Sequence, residues 1–352
     1  MRLQSNPFST HTTLRIKKIW LGLLVFALWL SACAKKQTTP KVGFYYWKTQ
    51  FNLGQPEITA LDSLHAQSLY VRIFDVDWDF NRHQAIPKGA QTNHPVFPQA
   101  IQPVPTIYIT NRTLTHTKSI DSLAQKIIDY TQDILKKWPT PPTKLQLDND
   151  WTPSTKAKYF QLIRYIKSKA NFETLSTTIR LHQYKYPKQT GIPPADEGIL
   201  MCYNTGDITD WNTQNSIATP KDVQKYIQHA KAYPLDLGVA LPIFSWTVIF
   251  RDSSFFKIVT DDNLSWQQDT IHYRRLSPTR FVVQAGTFLK GHYLYKGDLL
   301  RYESVKQADL LSMAQSLSEK QAFSEILFYH LDSANLKKNN YPMLRQVIQT
   351  LR

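Results

Sequence analysis

Residues 144–152 read KLQLDNDWT, and residues 174–182 read TLSTTIRLH. Side chains alternate across a strand. In the first stretch Leu145 and Leu147 take one face, and Gln146, Asp148 and Asp150 take the other. In the second, Leu175, Ile179 and Leu181 oppose Ser176, Thr178, Arg180 and His182. Where helices cover a closed sheet, the outward set is apolar. The polar sets of both strands are therefore expected to point inward. Residues 69–78 follow the same rule, with Val71 and Ile73 outward and Arg72 and Phe74 inward, and residues 104–109 place Thr106 and Tyr108 inside.

Outward from these stretches, eight segments read as strands: 42–47, 69–78, 104–109, 144–150, 174–182, 198–204, 236–244 and 325–332. Helical periodicity lies between them. Ile120, Leu123, Ile127 and Ile134 share one helix face; Phe160, Ile163 and Ile166 share another; Val223, Tyr226, Ile227 and Ala230 share a third. Thr152-Pro153 and Thr219-Pro220 each read as a threonine N-cap with proline at the first helical position. Eight strands alternating with helices predict an α/β fold, a (β/α)8 TIM barrel spanning residues 42–352. The alternative is an open doubly wound sheet, but no glycine-rich phosphate loop supports it. The stretch 245–303 is too long for a simple loop and carries short β patterns. It is expected to form a small β-rich subdomain inserted after strand seven.

The 352 residues are 42% hydrophobic and 20% charged, which excludes a disordered or fibrous chain. Two cysteines exclude a disulfide framework and a four-cysteine zinc site. The net charge of +15 suits nucleic acid, an anionic glycan or a membrane surface. The basic residues are scattered and no recognition motif accompanies them, so nucleic acid is not an expected partner.

Residues 1–18 are polar and basic, and residues 19–30 are the apolar run IWLGLLVFALWL. Such a run rises about 18 Å as a helix, short of a ~30 Å hydrocarbon core. A basic region before a short apolar run reads as a secretory signal. The run closes on Leu30-Ser31-Ala32-Cys33, which resembles the lipobox of bacterial lipoproteins. That resemblance implies a signal peptide over 1–32, acylation of Cys33, a tether over 33–41, and lipid anchoring to a membrane of the bacterial cell envelope.

Buried charge costs several kcal/mol unless paired. Arg72 and Arg180 set against Asp148 and Asp150 would meet that cost as internal ion pairs. Barrel active sites lie at the C-terminal ends of the strands. Asp150, His182, Tyr203 and Asn204 fall there, which predicts a ligand cleft.

Two motifs resemble those of chitinase-like glycoside hydrolases. Strand four of those barrels ends in Asp-x-Asp-x-Glu, and here the chain reads Asp148-Asn149-Asp150-Trp151-Thr152. Strand six carries Met-x-Tyr-Asp, and here it reads Met201-Cys202-Tyr203-Asn204. The family often carries an insertion after strand seven. The phrases LQLDNDWT, TIRLHQYKY and MCYNTGD are also similar to a family of bacterial barrel lipoproteins. The resemblance implies a carbohydrate-active barrel with a glycan or polysaccharide as partner.

The departures fall on the chemistry. The family's proton-donating glutamate is Thr152 here, and the strand-six aspartate is Asn204. The six glutamates, Glu57, Glu173, Glu197, Glu303, Glu319 and Glu325, all lie away from the C-terminal ends of the predicted barrel strands. Any acid must come from Asp75, Asp77, Asp148, Asp150, Asp207 or Asp332. Glycosidases place two carboxyls ~5–5.5 Å or ~6.5–9.5 Å apart, and alternate residues of one strand rise about 6.6 Å. Asp150 is thus the acid/base candidate and Asp148 its electrostatic partner, with Tyr203 and Asn204 orienting substrate. Trp151, His182, Arg180, Arg72, Tyr108 and Trp246 are further candidate contacts. Tyr45, Tyr46, Trp47, Trp78 and Tyr329 add rings near strand ends on which sugar faces can pack. Asp148, Asp150 and His182 have metal-ligand chemistry but no tight motif, so neither a metal nor another cofactor is expected. Two functions follow: a glycoside-hydrolase-like enzyme, or a non-catalytic glycan-binding or envelope scaffold protein that lacks the catalytic glutamate.

Overall fold

The first strand, Lys41–Tyr46, is hydrogen-bonded along both edges. In this computed structural model, which describes Met1, residues 39–260 and residues 264–352, it runs parallel to Glu325–Tyr329 on one side and to Ser68–Asp79 on the other. The ring continues through Gln102–Ile109, Lys144–Asp148, Thr174–Arg180, Glu197–Met201 and Asp236–Pro242. Eight parallel strands therefore close into a (β/α)8 barrel, and each overlaps a segment the sequence marked to within two residues at its start. A further strand, Gln84–Lys88, folds back antiparallel on the second strand outside the ring. Apart from Met1, the segment expected to be a signal peptide and Cys33 lie outside the described residues. Among the described residues no helix is long and apolar enough to cross a membrane.

The outward sets pack as the alternation requires. Leu145, Leu147, Leu175 and Ile179 are buried in one core with Leu123, Ile127, Ile163 and Ile166 of the covering helices Ile120–Leu135 and Lys156–Lys169. Thr219 caps Pro220–Ile227, its hydroxyl accepting the Asp222 N–H at 3.1 Å. The cap expected at Thr152 is displaced. The chain first makes a turn, and Lys156–Lys169 starts from Thr155, whose hydroxyl accepts the Thr152 N–H at 2.9 Å.

The second strand departs from simple alternation. Its register against Gln102–Ile109 shifts between Arg72 and Phe74. One extra residue reverses the facing of all that follow. Phe74, expected inside, instead meets Tyr130 of the covering helix with ring centroids 4.9 Å apart. Asp75 is carried to Arg72, which pairs with it at 2.6 Å.

Inside the ring, polar groups satisfy one another in layers. At mid-height Tyr45 donates to Gln146 Oε1 at 2.9 Å, and Gln146 Nε2 reaches Ser176 Oγ at 3.4 Å. At the N-terminal end Glu325 is buried. It accepts from Tyr70 at 2.7 Å and from the Ser68 hydroxyl. Lys144 lies 2.6 Å from Glu197 and 3.6 Å from Glu325. Burial pulls the Lys144 ammonium down, but the two glutamates outweigh it and raise its pKa. Gly43 makes this plug possible, since a Cβ there would come within 2.6 Å of the Ser68 carbonyl oxygen.

After the seventh strand the chain builds a five-stranded antiparallel sheet, in spatial order Ser254–Val259, Ser245–Arg251, Leu299–Ser304, Arg280–Val283 and Tyr273–Ser277. A hairpin, Thr287–Leu289 with His292–Leu294, is attached. This insertion has its own core around Trp266, Phe281, Leu294 and Leu300.

The plug has a measurable consequence. Lys144→Met would strand two carboxylates inside the ring, and removing one partner of a buried pair costs about 3–5 kcal/mol. Urea denaturation should show that loss. Glu325→Gln in the same chain should restore part of it, whereas additive losses would mean that the two groups are uncoupled.

Candidate functional site

The C-terminal ends of the strands open into a cavity of about 610 Å³, within the ~300–1,000 Å³ common for small-ligand sites. Every side of the ring but the second strand contributes to its wall. Trp47 and Lys48 follow strand one, and Tyr108 comes from strand three. Asp148 and Asp150 end strand four, and Arg180 ends strand five. Tyr203 and Asn204 follow strand six, Phe244, Ser245 and Trp246 lead into the insertion, and Tyr329, His330 and Asp332 close the circuit at strand eight.

Asp148 carries the unusual electrostatics. Burial first, and the charge of Asp150 second, push its carboxyl up to about 7, against the Thr178 hydrogen bond and the Arg180 charge. The Thr178 hydroxyl donates to it at 2.7 Å. Asp150 is more open to solvent and pairs with Arg180 Nε at 3.0 Å. Tyr108 is pushed up to about 12, by burial and then by Asp150 and Asp148, so its phenol stays a donor. Asp332 is held by Lys48 at 2.6 Å. Burial works against that ion pair, yet its carboxyl is lowered.

The rest of the wall is aromatic. Tyr329 is the hub, with ring centroids 5.0 Å from Tyr203, 5.5 Å from Phe244 and 5.7 Å from Trp47. Phe244 lies 5.2 Å from Trp246. The Trp246 indole donates to Glu303 at 2.7 Å. Glu303 in turn accepts from the fully buried Arg301 at 2.5 Å and from the Ser216 N–H at 3.0 Å. The insertion therefore fixes this ring from behind.

The structure brings Asp148, Asp150, Arg180, Tyr108, Tyr203, Asn204 and Trp246 to one cavity. It does not bring Trp151, His182 or Arg72 there. Beyond Asp150 the chain turns outward, so Trp151 is buried against Tyr159 and Phe160 and donates to the Thr190 carbonyl at 3.0 Å. Strand five stops at Arg180 and the helical turn Leu181–Lys185 begins. Gln183 accepts the Arg180 N–H at 2.7 Å, and His182 faces solvent. Arg72 pairs with Asp75 rather than with the strand-four aspartates. Thr152, at the resembled family's glutamate position, is exposed and bonded to Ser154 at 2.8 Å. Asp77 is bound by Arg112 and Lys88 outside the cavity. Among the described residues no group of three or more His, Cys, Asp or Glu could hold a metal ion.

Sequence reasoning missed Lys48, Ser245, His330, Asn335 and Lys338. Lys48, Ser245 and His330 lie within three residues of strand ends, so the rule that barrel sites lie there was signal enough. Asn335 and Lys338 sit on a short helix, Ser333–Lys338, whose place over the cavity only the fold reveals.

No protein-family model and no curated protein matches the sequence. Solved structures do match in fold. The C-terminal domain of a putative chitinase from Desulfitobacterium hafniense is 11% identical, with a TM-score of 0.52 over 90% of this chain and 100% of that one. The chitinase of Chromobacterium violaceum is 10% identical, with a TM-score of 0.50 over 88% and 99%. The spore cortex-lytic enzyme SleL of Bacillus cereus is 13% identical, with a TM-score of 0.50 over 90% and 75%. The fold is thus a TIM barrel distantly similar to the barrels of these chitinase-like enzymes.

The carboxylate pair makes a signed prediction. Asp150→Asn removes a like charge and should lower the Asp148 pKa below about 7, whereas Arg180→Met should raise it, as read by carboxyl ¹³C titration. Folded Asp148 also holds its proton more tightly than the unfolded chain, whose aspartates titrate near ~3.9. Its contribution to stability should therefore decline as pH rises from about 4 to about 7. Asp148→Asn should lack that decline.

Proposed function

We propose that this protein is a carbohydrate-active barrel of the bacterial cell envelope, held to a membrane by lipid on Cys33, and that its cavity takes a glycan. The observation that carries this reading is the pairing of a continuous aromatic wall with the Asp148 carboxyl, which burial and the Asp150 charge push up to about 7. Rings pack on apolar sugar faces, and a few polar groups fix orientation. The solved structures of similar fold include chitinases and a spore cortex-lytic enzyme, which supports a glycan as ligand.

As an enzyme, the protein would use Asp148 rather than Asp150 as the general acid. A donor at pH 7 needs a raised pKa, and Asp148 has it. Asp150, paired with Arg180, is the negative charge available to an oxocarbenium-like transition state. Tyr203 and Asn204 would orient the sugar. Binding without cleavage is favoured by one observation: among the described residues no glutamate lines the cavity, and Thr152 stands outside it.

A glycan panel scored for both binding and product release tests the two. Asp148→Asn should reduce turnover about 10²–10⁴-fold with a much smaller change in affinity. Wild-type activity should fall as pH rises through about 7, because the acid form is lost. Binding with no product would assign the protein to the non-catalytic class, and no binding at all would remove the glycan reading.

Anchoring is tested separately. Wild-type protein should partition into detergent and Cys33→Ser should not. A mature N-terminus elsewhere, without lipid by mass spectrometry, would overturn the anchor.

A further inference from the structure

Three cationic side chains of lysine or arginine reach the cavity wall among the described residues: Lys48, Arg180 and Lys338. Two have a carboxylate to balance them. Lys48 meets Asp332 at 2.6 Å, and Arg180 meets Asp150 at 3.0 Å. Lys338 has no such partner among the described residues. Its ammonium donates instead to Ser245 Oγ at 2.6 Å, and it lies 5.8 Å from the centroid of the Tyr302 ring. Both Lys338 and Ser245 line the cavity; Lys338 is half-buried and Ser245 is buried.

That arrangement is incomplete in charge and in hydrogen bonding. A partly desolvated ammonium without a counter-ion is costly. An ammonium has three protons, of which Ser245 takes one. Because Ser245 accepts from Lys338, its own hydroxyl proton is left to donate. Two donors from adjacent groups match the two oxygens of one carboxylate, and bonds to a charged acceptor are the strong ones. Among the described residues the rest of the wall does not supply that carboxylate: Asp332 is paired with Lys48 and Asp150 with Arg180, and burial and the Asp150 charge push the Asp148 carboxyl up to about 7.

We infer that Lys338 and Ser245 form an anion subsite in the cavity, and that the glycan this protein takes bears a carboxylate. The inference rests on the glycan reading above and narrows it from sugars in general to acidic glycans. The basic excess acts in the same direction, drawing a negatively charged ligand at long range: without Arg2, Arg15, Lys17 and Lys18 of the expected signal segment, 38 Lys+Arg still face 27 Asp+Glu. The carboxylate can belong to a uronic acid or to an acidic ether substituent on a hexosamine. Lys338 reads the charge in either case.

Calorimetric titration of the full chain in detergent micelles, with three disaccharides, tests this. The probes are neutral N,N′-diacetylchitobiose, an N-acetylglucosamine–glucuronate disaccharide, and N-acetylglucosaminyl-N-acetylmuramic acid. At least one acidic disaccharide should bind about tenfold or more tighter than the neutral one, the gain expected of a charged hydrogen bond. The winner identifies the source of the carboxylate. Lys338→Met should erase that preference, weakening the favoured acidic disaccharide about tenfold or more and diacetylchitobiose much less, and Lys338→Arg should keep it. Equal affinity for neutral and acidic probes would overturn the subsite and leave the glycan reading standing. So would a preference that survives Lys338→Met, or a loss that falls equally on all three probes. Failure of all three probes to bind would overturn the glycan reading together with the subsite.

Discussion

Strand Lys41–Tyr46 has partners on both of its edges, and the remaining structure depends on the ring it closes. Closure removes sheet edges and creates an interior of fixed volume. Polar side chains that point into that interior must satisfy one another, because an unpaired buried polar group is costly. The protein does this unevenly along the barrel axis. At the N-terminal end Glu325 has Tyr70, Ser68 and Lys144 around it. At mid-height Gln146 links Tyr45 to Ser176. At the C-terminal end Asp148 has one hydroxyl partner and a like-charged neighbour. The unrelieved charge is thus concentrated at the end where barrels of this kind do their work.

The insertion makes sense in the same terms. It has a core of its own, distinct from the barrel core. Its first strand, Ser245–Arg251, begins at the cavity and carries Ser245 and Trp246 into the wall. The buried Arg301–Glu303 pair then locks the Trp246 indole. Arg301 also bonds the carbonyl oxygens of Ile208 and Asp210, which ties the loop after strand six to the same support. A wall built from loops is positioned by a small sheet behind it.

Most of this architecture was legible in the residues. Period-two alternation gave the facing of strands two to five, because the apolar outward sets and polar inward sets are required by the same burial that stabilises the ring, and the other four strands were legible as segments between helical patterns. The pair 148 and 150 was legible for that reason, as was the insertion, since no simple loop is so long. What alternation could not show was where it breaks. The extra residue between Arg72 and Phe74 reverses the facing of the second strand and gives Arg72 a partner three residues away. Strand five yields to a helical turn at Leu181, which takes His182 out of the site. Trp151 looked like a sugar platform by residue type, yet a buried tryptophan needs a partner for its N–H, and Thr190 supplies it from 39 residues away. Lys338 lies on no strand, and only the folded helix brings it to Ser245.

The absence of glutamate at position 152 does not by itself decide what the site does, because the carboxyl at 148 has its own cost to explain. An asparagine there would accept the Thr178 hydroxyl equally well and would carry no charge to desolvate. It would also remove the repulsion from Asp150. The chain uses that residue at the next strand end but one, where Asn204 occupies the aspartate position of the resembled motif. Stability alone therefore favours Asn at 148, and the protein has Asp. A carboxyl kept where its proton is held near pH 7 is suited to exchanging that proton with a ligand in the cavity. The same argument runs in the opposite sign for Lys338, where methionine would line the wall at lower cost. On the reading proposed above, both groups serve a ligand in the cavity rather than the barrel.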